Sequence, residues 1–272
     1  MDTFYDTHAH LDYPDFQNDL PGVLDRARAA GITRIICVGT DLESSRQAVT
    51  ISEQHDGVYA AAGWHPTHVM EAPEDIRDAL LTLAAHPKVV AIGETGLDYF
   101  RMPGAQEGGT EEEDARYRER QADLFRQQLE VAAETGLNVI IHQRGDVLDA
   151  TLEQFEPFTD RVQGQFHCFA GQVSDLHRIL ATGSVISFTG ILTFKNAQNV
   201  RDALAAVPED RFMLETDSPF LAPVPCRGKR CESAYVRVIA AEAARVRGCD
   251  LRTLSRLTCE TAHRFFPKMK IS

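Results

Sequence analysis

The sequence lacks any uninterrupted apolar run of about 18 residues, the length that a membrane-spanning helix requires, so no membrane span is predicted. It also lacks the basic and apolar leader of a secretory signal, since it begins Met1-Asp2-Thr3-Phe4-Tyr5-Asp6. No repeat, low-complexity segment or linker-like stretch interrupts the chain of 272 residues. We therefore expect a cytoplasmic protein with one domain over residues 1–272, without a membrane or a stable protein partner.

Cysteine occurs six times, but without the paired spacing of a structural zinc site or a small disulfide framework. Cys226 and Cys231, five positions apart, come nearest to such a pair, and no second pair follows them. A metal or redox role for these two thiols stays open. In a cytoplasmic chain of this size most cysteines are reduced thiols, so disulfides are not expected to stabilise the fold.

Positive charge is scarce, because 28 lysine and arginine residues face 40 aspartate and glutamate residues, a net charge of −12. A surface of that sign repels phosphate backbones, which excludes tight non-specific binding to nucleic acid. Bound cations reverse the local field, so a nucleic acid that binds transiently as substrate is compatible with this charge.

Short apolar runs alternate along the chain with amphipathic stretches of helical period. The runs are bounded by turn residues and are mostly apolar on both faces, which is typical of strands buried in a parallel sheet. They lie at Phe4–Asp6, Arg34–Val38, Val58–Gly63, Val89–Gly93, Asn138–His142, Gln165–His167, Ser184–Phe188 and Arg211–Glu215. The helical stretches lie at Leu20–Ala30, Ser44–His55, Pro73–His86, Glu119–Thr135, Val147–Phe155, Ser174–Thr182 and Asn196–Ala206.

This alternation predicts βαβ units and, with about eight units, a single (β/α)8 TIM barrel whose active site lies at the carboxyl ends of the strands. A doubly wound open sheet is the alternative, and the absence of a glycine-rich phosphate-binding turn disfavours it. The longest irregular segment, Phe100–Asp114, includes the acidic run Glu111–Asp114. We expect it to overhang the mouth of the barrel as a functional or mobile loop.

Metal-binding side chains follow or end the predicted strands. His8 and His10 form a His-x-His pair whose rings lie on one side of an extended segment. The other candidates, each at the end of a later strand, are Glu94, His142, His167 and Asp217. Because a barrel gathers these ends on one face, the six side chains are expected to meet there and bind divalent cations. Six donors exceed what one tetrahedral ion needs, which favours two ions bridged by one carboxylate.

Each of these residues also has a structural interpretation. Glu94 is compatible with a helix N-cap, and Asp217, before Ser218 and Pro219, is compatible with the start of a turn. A histidine at the end of a strand is often held by hydrogen bonds alone. The joint placement of all six residues favours the metal site.

Several motifs, in order along nearly the whole chain, resemble those of the TatD family of metal-dependent deoxyribonucleases, which belong to the amidohydrolase-like TIM barrels. They are Tyr5-Asp6-Thr7-His8-Ala9-His10-Leu11-Asp12, Gly63-Trp64-His65-Pro66, Gly93-Glu94-Thr95-Gly96-Leu97-Asp98, Val139-Ile140-Ile141-His142, Phe166-His167-Cys168-Phe169-Ala170-Gly171 and Leu214-Glu215-Thr216-Asp217-Ser218-Pro219.

The resemblance implies a phosphodiesterase supported by Mg²⁺ or Mn²⁺, with Zn²⁺ as another candidate ion, that acts in some members as a 3′-to-5′ exonuclease. It implies one ion held by His8, His10 and Asp217, a second held by His142 and His167, and Glu94 between them. DNA or an oligonucleotide is then the expected substrate.

The expected mechanism uses a water that both ions activate, because metal binding lowers the pKa of this water toward about 7. Asp217 is the candidate general base, and the second ion would polarise a phosphoryl oxygen. His65 is the candidate phosphate contact or proton donor to the leaving oxygen, with a plain turn histidine as the alternative. Asp98 is expected to form a hydrogen bond to a ligand.

Basic residues are candidate substrate contacts. In the family the last strand is usually followed by Arg-Gly-Lys-Arg-Asn-Glu-Pro, whereas here the run from Arg227 continues with cysteine at 231 and serine at 233. The candidates are Lys195, Arg227, Lys229 and Arg230, and a solvated basic cluster is the alternative.

Two other functions share these residues. The same site would hydrolyse an ester, amide or lactone, or the ester bond of an aminoacyl-tRNA, because the same nucleophile attacks carbonyl carbon. A non-catalytic metal-binding scaffold is the remaining alternative.

Overall fold

The computed structural model describes residues 2–105 and 107–269, and eight parallel strands of this part form one sheet. The order of the strands in space follows their order in the chain. A parallel bridge between Ala9 and Ser218 joins the first strand to the segment after the last one, which closes the sheet into the predicted barrel. The strands are β1 (Phe4–Ala9), β2 (Ile32–Val38), β3 (Val58–Ala62), β4 (Val89–Asp98), β5 (Asn138–Arg144), β6 (Gly164–Phe166), β7 (Val185–Phe188) and β8 (Phe212–Leu214).

Helices connect successive strands and cover the outside of the barrel. Within the described ranges they are α1 (Leu20–Ala29), α2 (Leu42–Gln54), α3 (Arg77–Ala84), α4 (Glu111–Thr135), α5 (Leu148–Phe155), α6 (Val173–Ala181), α7 (Gln198–Ala206), α8 (Val236–Arg247) and α9 (Leu251–Phe265). Their ends follow local chemistry: the Asp41 carboxylate accepts from the Ser44 amide at the start of α2.

Helix α4 begins eight residues before its predicted start at Glu119, and the acidic run Glu111–Asp114 is its first turn rather than part of a loop. Thr110 and Glu113 form a capping box there, and four carboxylates lie at the positive end of the helix dipole. The Gly104 amide donates to Asp114 at 2.6 Å, which ties the remaining loop to the helix. The prediction of an irregular segment up to Asp114 was therefore wrong.

Strand β4 continues to Asp98, past its predicted end at Gly93, because its backbone pairs with β5 up to Arg144. Strand β1 likewise includes His8, and β5 includes His142. The expectation that the candidate ligands follow or end their strands was therefore wrong for His8, Glu94 and His142, which lie within β1, β4 and β5.

The barrel interior is apolar near the amino ends of its strands and polar near the carboxyl ends. Ile36 and Ile140 belong to a buried cluster that includes Phe265 and Phe266 at the end of α9. The Asn138 side-chain amide donates to the Phe265 carbonyl at the start of β5, so α9 closes the amino end. The polar side chains of the barrel lie at the opposite, carboxyl end.

Candidate active site

The predicted metal-binding side chains converge at the carboxyl ends of the strands. They surround a cavity of about 630 Å³, lined by His10, His65, Glu94, His142, His167 and Asp217 among others. His8 is fully buried beneath them. The structure thus brings together all six candidate ligands, as well as the candidate phosphate contact.

One carboxylate oxygen of Glu94 faces the His-x-His pair. Glu94 Oε2 lies 3.4 Å from His8 Nε2 and 3.6 Å from His10 Nε2. Asp217 Oδ1 lies 3.4 Å from His10 Nε2 and 3.8 Å from His8 Nε2, which completes the first cluster. His8, His10 and Asp217 form one group able to hold a metal ion.

The other oxygen of Glu94 faces a second set of imidazoles. Glu94 Oε1 lies 2.8 Å from His142 Nδ1 and 2.8 Å from His167 Nε2. His65 Nε2 lies farther away, at 3.4 Å. Since the two oxygens of one carboxylate have separate partners, Glu94 stands between two clusters.

Glycine permits this close approach. Gly96 has φ +131°, and a β-carbon there would collide with the His142 carbonyl oxygen. At Gly93, with φ +128°, a β-carbon would lie 2.5 Å from the Ile140 carbonyl oxygen. Only glycine at these two positions allows β4 and β5 to pack this closely beside Glu94.

Asp217 has an unusual backbone conformation, with φ +55°, in the left-handed region that non-glycine residues rarely adopt. Its amide donates to the His8 carbonyl at 2.9 Å, and this contact holds it against β1. Strained backbone of this kind is concentrated at functional sites, where surrounding contacts maintain it.

Hydrogen bonds on the far side of two rings orient their near nitrogens. Val38 O lies 2.9 Å from His10 Nδ1, and Asp98 Oδ2 lies 3.0 Å from His142 Nε2. In the neutral tautomers these nitrogens carry the proton and donate it outward, so His10 Nε2 and His142 Nδ1 present lone pairs to the clusters. The expected supporting role of Asp98 has this geometry.

His65 has the opposite tautomer. The Thr67 amide donates to His65 Nδ1 at 3.1 Å, so this outer nitrogen is the acceptor and the neutral ring carries its proton on Nε2. Burial lowers the pKa of His65 to about 4, although the charge of Glu94 acts in the opposite direction. His65 is therefore a neutral hydrogen-bond donor that points into the site.

Charges in the clusters shift several pKa values. Burial would raise the pKa of Glu94, but the charge of His167 and the hydrogen bond from His142 outweigh it and hold this pKa well below its usual range. Burial would lower the pKa of His10, yet the hydrogen bond to Asp217 and the charge of Glu94 raise it to about 9. In the metal-free protein, ionised carboxylates are thus compensated by protonated imidazoles.

Glu215 supports the site from below, although the sequence interpretation gave it no role. It is fully buried and accepts from the Cys168 amide at 2.6 Å and the Ser187 hydroxyl at 2.7 Å. Its Oε1 also lies 3.6 Å from His167 Nδ1. The signal was its position two residues before Asp217, which placed it in the barrel wall at the same end.

The basic candidates for substrate contact lie outside the cavity. Arg230 pairs with Asp19 at 2.7 Å and with Glu232 at 2.9 Å, and Arg227 stacks on the Phe194 ring. Lys195 and Lys229 are exposed, and neither lines the cavity. Substrate contacts by these four residues remain a prediction. The pairing of Arg230 shows that its charge already stabilises the packing of its loop on α1.

No helix in the described ranges, 2–105 and 107–269, is long and apolar enough to cross a membrane.

Comparisons with known proteins find relatives over nearly the whole chain. A family model for TatD related DNase matches residues 5–267. An uncharacterized metal-dependent hydrolase of Bacillus subtilis (strain 168), YabD, is 36% identical over 262 residues, covering 96% of this chain and 98% of that protein. A 3′-5′ ssDNA/RNA exonuclease TatD of Enterobacter lignolyticus (strain SCF1) is 34% identical over 271 residues, covering 96% and 98%.

A solved structure has the same architecture. The crystal structure of YJJV, a TatD homolog from Escherichia coli K12, superposes with a TM-score of 0.85 at 27% identity, covering 97% of this chain and 98% of that one. The barrel and the resemblance predicted from sequence motifs are both confirmed. The chain belongs to the TatD-related DNase family and is a metal-dependent hydrolase.

Proposed function

We propose that the chain is a binuclear phosphodiesterase that degrades DNA or oligonucleotides, stepwise from the 3′ end. The observation that carries this proposal is the position of the Glu94 carboxylate, whose two oxygens face separate clusters of imidazoles. The exonuclease named among its relatives supports the substrate. Hydrolysis of phosphodiesters suits a pair of cations, because both the attacking and the leaving oxygen need charge stabilisation.

The residues present fit two divalent cations. His8 Nε2 and His10 Nε2 lie only 3.3 Å apart, as do His142 Nδ1 and His167 Nε2, so nitrogen atoms face each other across both clusters. His8, His10 and Asp217 would hold one ion and His142 with His167 the other, with Glu94 shared. Bound there, the ions would acidify a water and neutralise phosphoryl oxygens.

Among the expected ions, four imidazoles favour Mn²⁺ over Mg²⁺, which prefers oxygen ligands, and Zn²⁺ also suits this donor set.

Asp217 has the properties of a general base. Burial would raise its pKa, but the hydrogen bond from His10 and the charge of His8 lower it, so the group is a carboxylate at neutral pH. Its side chain is 16% exposed and lines the cavity, whereas Glu94 is 3% exposed. Asp217 is thus the carboxylate that an entering water reaches, and one of its oxygens would accept the proton.

His65 would hold the substrate. Its neutral ring donates from Nε2, which suits a hydrogen bond to a phosphoryl oxygen. A pKa of about 4 leaves the ring neutral at pH 7, so a phosphate contact is favoured over proton transfer to the leaving oxygen.

The proposal is tested on metal-stripped protein reloaded with Mn²⁺ or Mg²⁺. The substrates are a single-stranded oligonucleotide labelled at its 5′ end, bis-p-nitrophenyl phosphate, and a panel of acyl esters, amides and an aminoacyl-tRNA. We expect a ladder of products shortened one nucleotide at a time, and hydrolysis of the small diester, only with metal. Turnover confined to the acyl substrates, or full activity after exhaustive chelation, would contradict the proposal.

A further inference from the structure

Two arginines supply the permanent positive charge of the cavity lining. Among residues 2–105 and 107–269, Arg101 and Arg144 are the arginine or lysine side chains that line it. The carboxylates that line it, Glu94, Asp98 and Asp217, all lie against histidines. In a chain of net charge −12, these two guanidinium groups are therefore the permanent cations of the cavity lining that an anionic substrate meets.

Strand β5 places Arg144 beside the metal-binding residues. Arg144 follows His142 by two residues, so both side chains lie on one face of the strand, about 7 Å apart along it. The Tyr99 amide donates to the Arg144 carbonyl at 2.9 Å, and Asp98 pairs with Arg144 in the sheet. The backbone of Arg144 is thus part of the barrel wall, so the sheet fixes the point from which its side chain extends.

The side chain of Arg144 rests on an exposed aromatic ring. Its guanidinium carbon lies 4.1 Å from the centre of the Phe100 ring, which is 59% exposed. Throughout the described part of the chain, Arg144 has no carboxylate in ion-pair contact, whereas Arg230 has two. Stacking orients a guanidinium and leaves its N–H groups free, which suits bidentate contact with a phosphate.

On the basis of the proposed function, we propose that Arg144, held on Phe100, binds a phosphate that flanks the scissile one. Arg144 then positions the nucleic acid rather than the reacting phosphorus, because its side chain starts two residues beyond His142 along β5. Arg101, three residues after the end of β4, adds a second charge to the cavity lining. The cation that contacts the flanking phosphate of the nucleic acid thus comes from the β4–β5 side, not from residues 227–230.

The test compares Arg144→Ala with a matched variant, Arg161→Ala. Arg161 also stacks on a phenylalanine, Phe158, but it precedes β6 and so lies at the amino end of the barrel. kcat and KM are measured with Mn²⁺ for the single-stranded oligonucleotide and for bis-p-nitrophenyl phosphate, which has no flanking phosphate. Melting temperatures establish that each variant is folded.

For Arg144→Ala we expect kcat/KM on the oligonucleotide, relative to the small diester, to fall at least tenfold, mainly through KM. The dependence of log kcat/KM on log salt should become shallower by about 0.7, the value for one lost contact to a single strand. Arg144→Lys, which keeps the charge and loses the fork, should fall between. Arg161→Ala should leave both quantities within about twofold.

An unchanged substrate ratio in folded Arg144→Ala would overturn this inference while leaving the proposed function intact. An equal loss on both substrates would overturn it too, because it would place Arg144 at the reacting phosphate. A wild-type enzyme that hydrolyses the diester but no oligonucleotide would instead overturn the proposed function, and this inference with it.

Discussion

The floor and the rim of the cavity are built differently. On the floor, His8, His10 and Glu94 are buried, and their titratable partners lie at 2.8 to 3.8 Å. On the rim, Phe100 and Phe220 are 59% and 50% exposed, and Arg144 stacks on a ring without an ion pair among the described residues. The floor is preorganised, because its donor atoms are buried and held in one geometry. On the rim, hydrogen-bond donors and aromatic rings are exposed and available to contact the substrate.

The largest expected effect comes from the floor. Asp217→Asn keeps the size of the side chain and removes its basicity, so kcat for bis-p-nitrophenyl phosphate should fall about 10²- to 10⁴-fold. Metal analysis of the same sample must show that ions are still bound. The control is Asp149→Asn, an exposed carboxylate on α5, which should behave as wild type. Substantial turnover by folded, metal-loaded Asp217→Asn would contradict the role of Asp217.

Metal binding to the floor should depend on pH. The pKa of His10 is raised to about 9, so its ring is protonated at pH 7 in the metal-free protein, and a cation must displace that proton. The apparent affinity for Mn²⁺ should therefore fall as the pH is lowered from 9 toward 6.

Titration calorimetry at pH 7, in buffers of different ionisation enthalpy, should show at least one proton released on binding. A heat that is the same in all buffers would mean that the imidazoles are already deprotonated.

A smaller effect is expected one layer behind the ligands. Asp98 accepts from His142 and sets its tautomer, so Asp98→Ala should weaken Mn²⁺ activation about 10- to 100-fold. Asp98→Asn, which keeps an acceptor oxygen, should lose less. The concentration of Mn²⁺ at half-maximal activity is the measurement. Equal losses for alanine and asparagine would show that the charge, rather than the hydrogen bond, is what matters.

The smallest effect is expected on the rim away from the cavity. Arg230 is occupied by Asp19 and Glu232, so Arg230→Ala should change kcat/KM by less than about threefold. Its melting temperature should drop more than that of Lys229→Ala, which removes an exposed neighbouring charge. A tenfold loss of activity on oligonucleotides with unchanged stability would restore Arg230 as a substrate contact.

The floor was predictable from the sequence for a physical reason. Each candidate ligand lies at or near the carboxyl end of an apolar run, and the barrel brings those ends together whatever the details of the loops. The exact strand ends were less predictable, because Gly93 and Gly96 permit β4 to continue past Glu94, where the strand was expected to end.

The rim was not predictable in the same way. In the sequence, Arg144 is separated from Phe100 by α4 and most of β5. Nothing in the local sequence indicates that the two side chains stack. The basic run at 227–230 predicts substrate contacts because its positive charges are adjacent in the sequence. Whether such charges are free depends on partners such as Asp19, about 200 residues earlier in the chain. The capping box of Thr110 and Glu113 lies in the local sequence at the start of α4, but an acidic run that follows two glycines also suits a loop.

The central claim is that Glu94 lies between two cations. Crystals grown with Mn²⁺ and measured at the manganese absorption edge test it directly. We predict two anomalous peaks about 3.5–4 Å apart, one beside Nε2 of His8 and His10, the other beside His142 Nδ1 and His167 Nε2, with one Glu94 oxygen toward each. A single peak, or two peaks without the Glu94 carboxylate between them, would contradict the account.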